Sequence, residues 1–192
     1  IRGAGDILGT RQHGNIAAVG FHLYTQLLAQ AVRKIQDPAQ RTPDLALEFP
    51  GDQPPVRIDL PLPSGIPEDY IADQSVRLSL YRRMAGILKA EEIEGLKREF
   101  TDRFGSLPVT VENLFLLLRI KLLAEQVGLE SISLQRGQLL LQYPEEAALP
   151  QPWMVSEPAR FGESSLWLQF NLKDSDWDRR LLTVLEALTP DL

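Results

Sequence analysis

The stretch LPVTVENLFLLLRIKLLAEQVG at residues 107–128, followed by ESISLQRGQLLLQY at 130–143, decides the fold of this chain. Its first part opens on Pro108, whose fixed φ suits the first turn of a helix, and closes at Gly128, a residue that stops helices. Between them Leu114-Phe115-Leu116-Leu117-Leu118 is apolar on every side of a 3.6-residue period, so this helix is expected at the centre of the core. Glu112, Arg119 and Lys121 interrupt it well short of the ~18 apolar residues that a membrane span requires. Past Gly128 the period changes. Ile132, Leu134 and Leu139-Leu140-Leu141 flank Arg136-Gly137-Gln138, which reads as a β-hairpin.

The flanking sequence extends both patterns. Upstream, Asp73 is placed to cap a helix bearing Val76, Leu80, Met84 and Ile87-Leu88. A second helix carries Glu91, Glu92 and Glu94 in its first turn, where the helix dipole favours acids, and ends at Gly105. Downstream, a proline-containing loop leads to the strand Leu166-Trp167-Leu168-Gln169-Phe170. Asp174 then reads as the cap of a last helix with Leu181, Leu182, Leu185 and Leu188 on one face. Clustered helices and clustered strands give the fold class: α+β, helices packed on a small, mainly antiparallel sheet.

The first third is different. Residues 1–14 are glycine-rich and polar, Asn15 reads as an N-cap, and Ile16, Val19, Leu23, Leu27, Ala31 and Ile35 follow at helical spacing until Asp37-Pro38 ends the run. Residues 37–67 hold eight of the fourteen prolines. Within them Val56-Arg57-Ile58-Asp59-Leu60 alternates strictly, as an edge strand or a tether between prolines would. A domain boundary is expected between about 37 and 50, dividing the chain into residues 1–45 and 46–192. The chain opens on Ile1 with no signal-like segment behind it, and reads as a piece of a longer protein.

Composition narrows the function classes. The 192 residues are 44% hydrophobic and contain no cysteine, which provides for a real core and excludes disulfide frameworks, zinc ribbons and thiol nucleophiles. A net charge of -6 speaks against a uniformly basic nucleic-acid wrapper. The charge is uneven, however: +3 over residues 1–36 and -5 over residues 137–192. Any nucleic-acid contact belongs to the first stretch, and the acidic remainder suits docking to protein.

No catalytic constellation stands out. Gly3, Gly5 and Gly9 are spaced one residue too far for a dinucleotide fingerprint, and no phosphate-cradling G-x-x-x-x-G-K-[ST] occurs. Asp174, Asp176 and Asp178 imitate a calcium loop, but Arg179 stands where the glycine is needed and Leu185 where the bidentate glutamate belongs. His13 and His22 are the only histidines and fit no metal spacing. Catalytic, metal-binding and cofactor-binding residues are therefore expected to be absent from this piece.

The opening segment carries a resemblance. Ile1-Arg2-Gly3-Ala4-Gly5 through Leu8-Gly9-Thr10-Arg11-Gln12-His13-Gly14 is similar to the second half of the translocation motif shared by two bacterial motor families, the transcription-repair coupling factors and the branched-DNA helicases. Ala18-Val19-Gly20-Phe21 resembles the coupling factors in particular. So do Ile66-Pro67-Glu68-Asp69-Tyr70-Ile71, Arg77, Tyr81-Arg82-Arg83, and Asp102-Arg103-Phe104-Gly105 with Leu107-Pro108. Thr10 and Arg11 stand where the coupling factors usually have acids, a feature of the helicase version that leaves the role of Arg11 open.

The resemblance implies a parent that is an ATP- and Mg-dependent translocase on double-stranded DNA, cytoplasmic, releasing stalled RNA polymerase at lesions and recruiting nucleotide excision repair. Arg2, Gln12 and Arg11 would couple ATP hydrolysis to movement, and the helix after Asn15 would belong to a hook that clasps the motor. Residues from 46 onward would be a C-terminal regulatory domain. It would hold the parent inhibited by masking the N-terminal region that binds UvrA. A freestanding protein-interaction module, or the related region of a branched-DNA helicase, are the alternatives.

Overall fold

A computed structural model describes residues 56–151, 154–169 and 173–189. The expected loop and helix of residues 1–36 and the boundary between 37 and 50 lie outside the described residues. Within them the order is β1 (Arg57–Asp59), α1 (Gln74–Ala85), α2 (Ala90–Phe104), α3 (Val109–Val127), β2 (Ser131–Gln135), β3 (Gln138–Gln142), β4 (Ala159–Phe161), β5 (Ser165–Leu168) and α4 (Trp177–Leu188). The α+β class expected from the sequence holds.

The helix ends follow from capping chemistry. The carboxylate of Asp73 accepts hydrogen bonds from the backbone N–H groups of Ser75 and Val76 at 2.7 and 3.1 Å and starts α1. Helix α1 stops at Ala85, one turn short of the expected pattern. The Gly86 N–H closes back on the carbonyls of Arg82 and Arg83, and Leu88 is left 61% exposed beyond it. Gly105 ends α2 at φ 88° and Gly128 ends α3 at φ 77°, conformations that side chains with a Cβ resist.

Helix α3 is the hub. Val111, Leu114, Phe115, Leu117, Leu118, Ile120, Leu122 and Ala124 are all buried, more than one stripe can account for. It packs against both α2 and α4. Helix α4 contributes Leu181, Val184, Leu185 and Leu188 to the same core.

The five strands form one sheet in the order β1-β2-β3-β5-β4. Strand β1 runs parallel to β2, reached through the three intervening helices, and the other pairings are antiparallel. The β2–β3 register is closed by Arg136-Gly137 at φ 52° and 80°, two positive values in succession, as a two-residue hairpin turn of the primed kind needs. Ile58, Ile132, Leu139, Leu141, Leu166 and Leu168 share the face turned to the helices and are buried in the common core. The other face carries Ser131, Ser133, Gln138, Gln142 and Ser165 around Leu140 and Trp167. Strand β1 stands at the end of the strand order, which settles it as an edge strand rather than a tether.

Two expectations are corrected. Residues 159–161, assigned to a loop, are strand β4. The stretch is only Ala159-Arg160-Phe161, too short to show alternation, and it is ordered by pairing with β5. The last helix is preceded by Asp176, not Asp174, and the Asp176 side chain makes no capping bond. Asp174 instead faces the guanidinium of Arg180 at 3.6 Å, so its charge is used across a turn rather than at the helix end. Among the described residues no helix is long and apolar enough to cross a membrane.

Candidate functional site

Between β1 and α1 the chain runs as a strap, residues 60–73, without strand or long helix, and the residues that carried the resemblance meet along it. Ile66 donates its backbone N–H to the Tyr81 hydroxyl at 2.7 Å, a buried bond from the strap to α1. Gly65 donates to the Thr110 carbonyl at 3.1 Å, and the Asn113 amide donates to the Pro63 carbonyl at 2.8 Å. Arg77 donates to the carbonyls of Ile71 and Ala72 at 2.7 and 3.0 Å and pairs with Glu68 at 2.9 Å. These bonds satisfy main-chain groups that an irregular segment leaves without ladder partners.

At the far end of the strap Tyr70 reaches the close of α2. Its hydroxyl donates to the Gly105 carbonyl at 3.1 Å, and burial raises its pKa above the ordinary phenol value. The ring meets Phe104 edge-on at 6.1 Å. Phe104 meets Phe100 at 5.8 Å, and Phe100 meets Phe115 of α3 at 5.3 Å. Edge-to-face geometry sets the positive rim of one ring against the negative face of the next, so the series ties strap, α2 and α3 together.

One carboxylate governs the charge here. Glu99 accepts both arms of Arg83 at 2.8 and 2.7 Å and one arm of Arg103 at 2.7 Å. Those bonds hold its pKa down at about 2. Arg103 also lies over the Phe104 ring, 4.9 Å from its centre. Of the resemblance residues in this corner, Arg82, Arg83, Asp102 and Arg103 are all exposed.

The corner has little scope for chemistry. The Tyr70 and Tyr81 hydroxyls bind backbone, Arg77 binds backbone and Glu68, and Arg83 and Arg103 bind Glu99. Among the described residues no group of three His, Cys, Asp or Glu side chains could hold a metal ion, and apart from the tyrosines Tyr81 and Tyr143 no polar or charged residue is buried. What the arrangement does is lock an irregular strap onto three helices. The calcium-like acids are used differently: Asp174 pairs with Arg180 and Asp176 with Arg179. The coupling residues Arg2, Arg11 and Gln12 lie outside the described residues. Sequence reading missed Glu99. Its spacing of four from Arg103 was a visible signal, whereas Arg83, sixteen residues away, gave none.

Residues 60–152 match the family model described as the TRCF domain. The transcription-repair-coupling factor of Mycobacterium tuberculosis is 37% identical over 134 residues, which are 69% of this chain and 11% of that protein. That of Bacillus subtilis is 36% identical over 148 residues, or 77% and 12%, and that of Escherichia coli is 33% identical over 155 residues, or 81% and 13%. The chain belongs to the transcription-repair coupling factor family. It matches only about a tenth of the length of these relatives.

A crystal structure of the C-terminal domain of a transcription-repair coupling factor superposes with a TM-score of 0.62 at 22% identity. It covers 70% of this chain and 91% of that one. The coupling-factor domain fold is thus the α+β arrangement above. Of the residues that carried the resemblance, Tyr70, Arg77, Tyr81, Arg83 and Arg103 make bonds that tie the strap, α1 and α2 to one another.

Proposed function

We propose that residues 46–192 are the C-terminal regulatory domain of an ATP-driven double-stranded DNA translocase that releases stalled RNA polymerase and recruits excision repair. In this reading the domain is non-catalytic and autoinhibitory. It packs on the parent's own UvrA-binding region and leaves it when polymerase is engaged. The observation that carries the reading is the commitment of the motif residues Tyr70, Arg77, Tyr81, Arg83 and Arg103 to internal bonds. A domain whose family motifs are spent on rigidity acts by presenting a surface, and an acidic body suits a protein partner. Residues 1–45 would be the translocation-coupling loop and hook helix, with Arg2, Gln12 and Arg11 linking nucleotide state to movement. ATP and magnesium would bind elsewhere in the parent.

Deletion from about residue 50 onward in the full-length parent tests this. The expected result is higher DNA-stimulated ATPase activity and UvrA binding tightened by roughly 5- to 150-fold, the range of typical coupling energies. Unchanged UvrA affinity would overturn the masking role. Substituting Arg2 or Gln12 should abolish translocation while leaving the fold of the later domain intact.

A further inference from the structure

We draw no further inference here: the strongest candidate, the sheet face opposite the helices around Leu140, Trp167 and Arg160, carries nothing because nothing in the structure shows what covers it.

Discussion

Tyr81 and Tyr143 are both buried tyrosines with opposite consequences if the hydroxyl is removed. The Tyr81 oxygen accepts the Ile66 N–H, so Tyr81→Phe strands a buried backbone donor and should cost about 1–3 kcal/mol. The Tyr143 hydroxyl is buried without a hydrogen-bond partner, and burial pushes its pKa up to about 12. Tyr143→Phe therefore removes an unsatisfied group and should be neutral or stabilising by up to ~1 kcal/mol. Urea unfolding of the two variants decides the matter, and equal destabilisation by both would contradict this account. Glu99 adds a pH dependence. Its pKa is depressed from 4.5 to about 2, so its contribution is complete above about 4.5 and fades as the pH falls towards 2. Because the network is largely at the surface, Glu99→Gln should cost only on the order of 1 kcal/mol at pH 7. Thermal melts of wild type and variant should converge between pH 4.5 and 2, and a gap that persists at pH 2 would contradict the ion-pair origin.

Elements are set by their ends, and the ends can be tested. Asp73→Ala removes the two bonds that start α1 and should cost about 1 kcal/mol. Arg136 sits at φ 52° in a turn that prefers asparagine or glycine, so Arg136→Asn should raise stability by roughly 0.5–1 kcal/mol. Melting temperatures of the two variants should move in opposite directions. The same residues explain what the sequence made legible. Asp73, Pro108, Gly105 and Gly128 act through their own backbone geometry or near neighbours, so α1, α2 and α3 could be placed without a structure. The hairpin was readable for a similar reason, because its turn lies between two apolar runs. Strand β4 was not, since three residues acquire strand character only from the neighbour that pairs with them. The corner site shows the same division. Its motif residues could be named, but the contacts of Tyr81 with Ile66 and Asn113 with Pro63 span 15 and 50 residues and exist only once the strap has been laid over the helices.

At the scale of the molecule, the family match and the folding unit have different limits. The match covers residues 60–152, yet the sheet begins at Arg57 and the core ends at Leu188. Stopping the chain at residue 152 would delete β4, β5 and α4, and with them Leu166, Leu168, Leu181, Val184 and Leu185, all fully buried. Strand β3 would lose β5, one of its two antiparallel partners, and α3 would show one apolar flank to water. At about 1.5–3 kcal/mol for each buried aliphatic side chain, losing these five is comparable to the whole of the roughly 5–15 kcal/mol that holds a typical domain folded. The truncated chain should therefore lack a cooperative thermal transition and show collapsed amide dispersion in its NMR spectrum. A chain of residues 56–192 keeps every described strand and helix and should unfold cooperatively. Starting instead at residue 61 would remove Val56, Ile58 and Leu60, each 3% exposed, and leave β2 as an unprotected edge. That third chain should fold but melt lower and self-associate more readily than the 56–192 chain, as measured by light scattering. Equal stability of the two would mean that β1 is an ornament of the sheet, and the parallel pairing with β2 would lose its place in the argument for where this domain begins.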